Sequence, residues 1–304
     1  MAEPQPTKLK TFFRRLISSL ILWAVVLGAM FSGNRILSDA VFITIMLVIT
    51  GFGLAEFYEL AEKRGQVCFK GWGVVGGVLL MLFTFLHFTG SLGISGTPAR
   101  VNDFETSFII LFVLGLCVLQ LYTKSTACGL AAIATTLFGL MYVAWLLNFI
   151  QKIHYFPGVE GAYYVLYFIL ITKLSDTGAY LVGSLIGKHK MIPRISPGKT
   201  WEGFVGALII SAVASLVFAH VARAHLSGMT ALHALVLGVA LGATAVVGDL
   251  IESLFKREAG VKDSGRYFPG IGGILDLVDS LLFNAPLMYL YLRHVLTNPL
   301  LMAP

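Results

Sequence analysis

Charged residues are scarce in this chain of 304 residues. Asp, Glu, Lys and Arg together make up 12% of it, whereas 57% of the residues are hydrophobic. A soluble domain of this length needs far more charged surface. Repeated apolar stretches are also long enough to cross a hydrocarbon core about 30 Å thick. The scarcity of charge therefore excludes a soluble globular protein and predicts an all-α polytopic integral membrane protein.

Cysteine is rare, and the phosphate-binding Walker loop of P-loop NTPases is missing. The three cysteines are odd in number and unpaired in spacing, which predicts neither a disulfide framework nor a zinc site. They are Cys68, Cys117 and Cys128. A Walker loop, GxxxxGK[ST], is absent because the first glycine is missing ahead of Gly198, Lys199 and Thr200. The sequence therefore does not encode a P-loop enzyme.

The apolar stretches predict about nine transmembrane helices with the N-terminus in the cytoplasm. Because nine is odd, the C-terminus lies outside. The first helix follows four basic residues and lacks a small-residue cleavage site, which indicates an uncleaved signal anchor. The predicted spans are residues 12–32, 37–60, 71–94, 105–122, 126–150, 162–186, 203–222, 231–255 and 273–296.

Basic residues are distributed unevenly along the chain. Most of the 22 Lys and Arg residues fall in segments that this topology places in the cytoplasm, as the positive-inside rule requires. The net charge of +6 is then explained by topology and by anionic lipid. We therefore expect membrane lipid, and no nucleic acid, as a partner.

The chemistry of the chain changes at its midpoint. Residues 1–150 contain five spans with few polar groups, and we interpret them as an N-terminal membrane scaffold. Glu56, at the cytoplasmic end of the second span, is assigned to that scaffold. Residues 151–304 contain four spans and two cytoplasmic loops, 187–202 and 256–272, and we interpret them as a catalytic region.

Carboxylates stand out in the last two spans. Asp249, Glu252 and Lys256 share one helical stripe, and Asp276 and Asp279 are i, i+3 neighbours on the next segment. An ionisable side chain at the centre of a bilayer costs roughly 2.5–3.5 kcal/mol, so such groups usually mark a site. The alternative is that Asp276 and Asp279 only complement the positive end of a helix.

The loop at 187–203 combines four basic side chains with hydroxyls and a helix start. Ser196, Lys199 and Thr200 precede a helix that begins near Glu202. Backbone amides at a helix start, hydroxyls and a movable lysine are suited to polyphosphate binding. The alternative is a positive-inside loop whose Ser-Pro-Gly turn and Glu202 mark the helix start.

The sixth span carries a lysine and an aspartate at i, i+3 spacing. These residues are Lys173 and Asp176. They could form a structural ion pair that holds helices together, or Asp176 could orient a cation or a substrate group from a cavity wall. The sequence leaves both interpretations open.

Two stretches resemble one known family. Residues 253–279 read S-x-x-K-R-x4-K-D-S followed by P-G-x-G-G-x-x-D-x-x-D, which is similar to the signature of phosphatidate cytidylyltransferase, also called CDP-diacylglycerol synthase. Residues 176–203, with DTGAYLVGSLIGKHK and SPGKTWEG, are similar to a second stretch typical of that family, in the same order and spacing. The two stretches lie in the C-terminal part of the chain.

The resemblance implies transfer of the cytidylyl group of CTP to phosphatidate, with Mg²⁺ required and a second cation left open. By this resemblance Asp249 and Asp276 are the metal ligands. The catalytic candidates are Asp249, Lys256, Lys262, Asp263, Asp276 and Asp279. The substrate-binding candidates are Ser196, Lys199, Thr200, Glu202, Arg257 and Asp176. The expected location is the bacterial inner membrane with the site on the cytoplasmic side, and a homodimer is left open.

The chain departs from the family pattern at two positions. Ile271 stands where the family usually has histidine, and Leu277 where it usually has arginine. These departures keep an inactive membrane scaffold or regulator among the alternatives. A CTP-dependent polyprenol or phytol kinase and an ion-coupled transporter are the others, although the inverted repeats typical of transporters are not visible.

Overall fold

The computed structural model describes residue 28 and residues 33–91, 98–123, 128–265 and 273–297. Within these residues, eight helices are long and apolar enough to cross a membrane. They coincide with the second to ninth predicted spans, which confirms the predicted all-α polytopic membrane architecture. The first predicted span, 12–32, lies outside the described residues except for one helical residue. The count of nine therefore stays a prediction.

The helix boundaries lie close to those predicted, because the thickness of the hydrocarbon core sets the length of each apolar stretch. Two helices contain a π-helical segment, which is Leu140–Trp145 in the fourth and Leu292–Leu296 at the end of the eighth. The helices are α1 (Arg35–Lys63), α2 (Lys70–Phe88), α3 (Pro98–Tyr122), α4 (Gly129–His154), α5 (Gly161–Ile186), α6 (Trp201–Val221), α7 (Ala231–Glu258) and α8 (Ile274–Leu296).

Small polar side chains begin three of the helices. The side chain of Asn34 accepts a hydrogen bond from the backbone at the start of α1, at 3.3 Å. Thr200 and Thr230 do the same for α6 and α7, at 3.1 Å and 3.3 Å. Each cap satisfies a backbone N–H that has no partner inside its helix. The starts of α6 and α7 are therefore encoded locally.

Glycines allow α5, α6 and α7 to approach closely. A Cβ at Gly178 of α5 would lie 2.9 Å from the side chain of Ile210 on α6, and one at Gly238 of α7 would lie 2.7 Å from the Cα of Ala212 on α6. Small residues at such contacts are the usual means of helix association in a membrane. The three helices form a closely packed unit, and α8, the most buried of the eight, packs against α7.

The predicted loop 187–202 contains a short β-hairpin that the sequence did not predict. Strand β1 (Lys190–Ile192) pairs antiparallel with β2 (Ser196–Thr200). Strands this short leave too few alternating positions for a recognisable pattern. Because β2 runs directly into α6, the hairpin stays beside the helix bundle.

The second predicted loop, 256–272, begins later than expected. Helix α7 continues to Glu258, so Lys256 and Arg257 lie on its last turn and not in a loop. Basic side chains are favourable there because the C-terminal end of a helix is electronegative. Ile271 lies outside the described residues.

Helices α7 and α8 are in close contact at Gly248. A Cβ at this position would lie 2.6 Å from the carbonyl oxygen of Asp279 and 3.0 Å from the Cα of Ser280. Both obstacles are backbone atoms, which cannot move without shifting the helix. The absence of a side chain at Gly248 therefore sets the distance between α7 and α8.

Replacement of Gly248 by alanine should force the two helices apart. We expect Gly248→Ala to lower the stability of the purified protein by about 1–3 kcal/mol, because overpacking displaces backbone. The melting temperature in detergent measures this effect. Gly51→Ala is the matched control, since its Cβ would lie at an ordinary 3.7 Å from Val78. An unchanged melting temperature for Gly248→Ala would contradict the proposed close contact.

Candidate active site

Three carboxylates meet where α5, α7 and α8 approach one another. Asp249 follows the close contact at Gly248, Asp279 lies opposite it on α8, and Asp176 projects from α5. Asp176 and Asp249 line the same cavity, and Ser280, the neighbour of Asp279, donates its hydroxyl to Asp176. We call these three residues the acidic cluster. An arrangement of this kind inside apolar helices requires compensating positive charge.

Lys199 supplies part of that charge from the hairpin. Its Nζ donates to Oδ2 of Asp249 at 3.0 Å and to the carbonyl of Val246 at 3.2 Å. Lys199 lies on strand β2, and the residue after it, Thr200, is the N-cap of α6. The lysine is therefore held beside the helix bundle. This ion pair thus helps to join two stretches that lie 50 residues apart in sequence.

Lys173 supplies charge from within α5. Its Nζ contacts Oδ2 of Asp176 at 3.4 Å and donates to the carbonyl of Leu277 at 3.0 Å and to the hydroxyl of Ser280 at 3.3 Å. The Ser280 hydroxyl in turn contacts Oδ2 of Asp176 at 3.3 Å. The ion pair that the sequence left open is therefore present within α5, and the same lysine joins α5 to α8.

A cavity of about 340 Å³ opens beside the acidic cluster. We call it the hairpin cavity, because β2 forms one wall. Its wall includes five of the residues selected from the sequence: Asp176, Ser196, Lys199, Thr200 and Asp249. In the described part of the chain, Oδ1 of Asp176 is buried without a hydrogen-bond partner. The cavity therefore combines negative, positive and hydroxyl groups in one partly open space.

A second group of charges lies at the start of α8. Nζ of Lys256 donates to Oδ1 of Asp276 at 2.9 Å and forms an ion pair with Glu252, which is buried. Oδ2 of Asp276 accepts from the backbone N–H of Gly273 at 3.1 Å and of Ser264 at 3.4 Å. Asp276 therefore complements the positive end of α8, which is the alternative that the sequence left open.

Comparisons with known proteins identify the family. The model of the cytidylyltransferase family matches residues 13–295. This chain belongs to the cytidylyltransferase family. The predicted family and the predicted enzyme class, a nucleotidyltransferase, are thereby confirmed.

Individual relatives agree with this assignment. The chain is 30% identical over 297 residues to the phosphatidate cytidylyltransferase of Haemophilus influenzae, a match that covers 93% of this chain and 99% of the relative. It is 41% identical over 253 residues to the enzyme of the same name from Staphylococcus saprophyticus, covering 72% and 92%. An uncharacterised Escherichia coli protein, YnbB, is 39% identical over 162 residues, about half of each chain.

The two aspartates that were predicted as metal ligands form ion pairs with different lysines. In this cytidylyltransferase Asp249 pairs with Lys199, whereas Asp276 pairs with Lys256. Among the described residues, no three His, Cys, Asp or Glu side chains are arranged as a metal site. A shared ion for Asp249 and Asp276 therefore stays a prediction.

Several other candidates of the cytidylyltransferase have structural partners. Thr200 caps α6, and the carboxylate of Glu202 accepts from the backbone N–H of His189 at 3.2 Å. Nε of Arg257 donates to the carbonyl of Ile195 at 3.2 Å, which ties the hairpin to α7. Two further candidates, Lys262 and Asp263, are exposed after the end of α7.

Glu56 lies next to the charged group at the start of α8, a position that the sequence did not predict. It lies on α1, in the predicted scaffold, yet its carboxylate contacts the start of α8. The only signal in the sequence was an acid at the end of an apolar span, and that pattern is equally typical of an interfacial charge. Lys173 was noted in the sequence, but its contacts with α8 were not predictable.

Removal of the Thr200 hydroxyl should weaken the start of α6. We expect Thr200→Val, which keeps the shape of the side chain, to cost about 1 kcal/mol through loss of the cap. Thr200→Ser keeps the hydroxyl and should melt close to the wild type. Thermal unfolding of both purified variants checks this. Equal melting temperatures for the valine and serine variants would contradict the capping role.

Proposed function

We propose that this protein transfers the cytidylyl group of CTP to phosphatidate, which forms CDP-diacylglycerol and pyrophosphate. The observation that carries the proposal is the hairpin cavity, where Lys199 meets Asp249 among membrane helices. The family match and the names of the two long relatives support it. The site combines groups suited to phosphate with a partly open cavity between membrane helices, and a reaction between a nucleotide and a lipid needs both.

In this reaction an oxygen of the lipid phosphate attacks the α-phosphorus of CTP. A new P–O bond forms, the bond between the α-phosphorus and the bridging oxygen of the β-phosphate breaks, and pyrophosphate leaves. No general base is required, because a phosphate oxygen is already ionised at neutral pH. The protein must instead offset the repulsion between two anions and stabilise the leaving group.

Basic side chains from two elements can meet this requirement. Lys199 reaches the cavity from the hairpin, and Lys256 lies at the end of α7 beside Asp276. A lysine held by a carboxylate is available to a phosphate, because the ammonium can exchange one anionic partner for another. We assign Lys199 to the nucleotide, and Lys256, Arg257 and Lys262 to the triphosphate or the lipid headgroup.

A divalent cation, Mg²⁺ in our proposal, fits the residues that are present. Asp176 and Asp249 both line the cavity. Oδ1 of Asp176 is buried without a hydrogen-bond partner and is therefore available as a ligand. Mg²⁺ prefers oxygen ligands and commonly uses one or two carboxylates together with phosphate oxygens and water. Asp249 with Asp176 would hold the ion, and Asp276 remains the alternative ligand. When bound, the ion would neutralise phosphate charge during transfer.

The proposed site faces the cytoplasm, where CTP is available. The basic residues around the hairpin and the end of α7 fit the cytoplasmic side under the positive-inside rule. The two named relatives are bacterial proteins, and we propose the bacterial inner membrane as the location. The acyl chains of the lipid would stay at bilayer depth while its phosphate reaches the cavity. The homodimer stays a prediction.

A radiolabel assay with the purified protein tests the reaction. CTP that carries a label either in its cytidine or, in a parallel reaction, at its γ-phosphate is incubated with phosphatidate or with a polyprenol, with Mg²⁺ or with excess chelator. We expect the cytidine label in lipid only with phosphatidate and Mg²⁺. Transfer of the γ-phosphate alone to a polyprenol would show a kinase, and no transfer to any lipid would leave the proposed activity unsupported.

Loss of the Asp249 charge should abolish most turnover. We expect Asp249→Asn to lower kcat on the order of 100-fold or more, the scale of losing a group that stabilises charge in a transition state. Asp103→Asn is the control, because Asp103 is exposed on α3 and does not line the hairpin cavity. Wild-type turnover in a folded Asp249→Asn variant would refute the assignment.

Loss of the Lys199 charge should weaken nucleotide binding. We expect Lys199→Ala to raise the KM for CTP about tenfold, which corresponds to about 1.4 kcal/mol, while the KM for phosphatidate changes little. Steady-state kinetics with each substrate varied in turn measure both constants. A change in the lipid KM alone would reverse the assignment of the hairpin to the nucleotide.

A further inference from the structure

A buried carboxylate from the N-terminal half holds the start of α8. Glu56 of α1 is 0% exposed. Its Oε1 accepts from the backbone N–H of Ile274 at 3.0 Å, and its Oε2 accepts from Leu275 at 2.8 Å. The hydroxyl of Ser264 adds a third hydrogen bond to Oε2 at 3.2 Å. Both oxygens of the carboxylate are therefore used.

These contacts make Glu56 the N-terminal cap of α8, supplied by another helix. The first N–H groups of a helix lack partners within it, and that end carries partial positive charge. Gly273, at the N-cap position of α8, has no side chain that could accept from them. A buried carboxylate is costly unless it is fully hydrogen-bonded, so Glu56 and the start of α8 each satisfy the other.

Two glycines fit closely around this carboxylate. A Cβ at Gly265 would overlap Oε1 of Glu56, and a Cβ at Gly273 would lie 2.7 Å from its Oε2 and overlap the hydroxyl of Ser264. The backbone at both positions is thus in direct contact with the Glu56 side chain. A displacement of the carboxylate would move this backbone.

The same backbone also holds Asp276. The N–H groups of Ser264 and Gly273 donate to Oδ2 of Asp276, and Oδ1 of Asp276 accepts from Lys256 at 2.9 Å. Ser264 therefore bonds to Glu56 through its hydroxyl and to Asp276 through its amide. An unbroken series of contacts leads from α1 to a lysine that we assign to substrate phosphate.

We propose that Glu56 is a positioning residue for the transfer reaction. It fixes the start of α8 so that Asp276 holds Lys256 in the orientation that binds substrate phosphate. Of the two substrates assigned to Lys256 above, this proposal takes the triphosphate of the nucleotide. This inference rests on the proposed function, because it concerns the same site. It also gives the N-terminal half a part in the reaction, beyond that of a scaffold.

Glu56→Gln is the variant that tests this role. Glutamine keeps the size of the side chain but turns one acceptor into a donor that faces a backbone N–H. If Glu56 acts through Asp276 and Lys256, the KM for CTP should rise about tenfold and kcat should fall, while the KM for phosphatidate stays near its wild-type value. A variant that is only less stable would lose active protein with both KM values unchanged.

Glu59→Gln is the matched control. Glu59 lies on the same helix, but its partner is Lys70, at 3.0 Å, and both side chains are partly exposed. We expect wild-type kinetics from this variant. Ser264→Ala is a second test variant, because it removes one of the three hydrogen bonds to Glu56. It should raise the KM for CTP two- to threefold.

Wild-type protein, purified and measured in parallel, distinguishes a failure of the proposed function from a failure of the positioning role. If the wild type transfers no cytidylyl group, the proposed function fails, and the rise in melting temperature on adding CTP then tests the positioning role, since Glu56→Gln should reduce it. If the wild type is active and Glu56→Gln has an unchanged KM for CTP, the positioning role is overturned. If Glu56→Gln does not fold, an unchanged KM for CTP in Ser264→Ala overturns it.

Discussion

The compensation of acidic side chains inside the helix bundle is the constraint on which the rest of the structure depends. An uncompensated charge at this depth costs several kcal/mol, so each acid requires a partner from another element or turn. Asp249 obtains Lys199, Asp276 obtains Lys256, and Asp176 obtains Lys173. The first pair joins the hairpin to α7, the second joins α7 to α8, and Lys173 also donates from α5 to Leu277 and Ser280 of α8. Charge compensation therefore also sets how the elements are placed.

Exposure distinguishes a pair that only stabilises the bundle from one that can take part in a reaction. Glu105 and Lys152 form an ion pair between α3 and α4 in which each side chain is 5% exposed, and Asn148 adds a hydrogen bond to the carboxylate. The side chains of Lys199 and Asp249 are 23% and 27% exposed and line the hairpin cavity. A ligand can therefore reach Lys199 and Asp249 and replace one of them as the partner of the other, whereas Glu105 and Lys152 are inaccessible to a ligand.

The sequence was sufficient for the spans and the family, but not for the partners of the charged residues. Apolar stretches of membrane-spanning length predicted nine spans, of which eight are present as helices in the described residues, and local motifs placed Lys199 and Asp249 among the site candidates. Glu56 and Leu275, in contrast, are separated by 219 positions, and no local pattern predicts that they meet. The hairpin was missed for a different reason, because its two strands are too short to show a period.

At Leu277, where the family usually has arginine, a neighbouring helix supplies the positive charge. The family resemblance indicates an arginine at this position, and the leucine side chain instead packs against the apolar core. The carbonyl of Leu277, however, accepts from Nζ of Lys173 at 3.0 Å. A cationic group therefore lies at this turn of α8, supplied by α5. Because Lys173 also contacts Asp176, the turn retains positive charge next to the acidic cluster despite the neutral residue at 277.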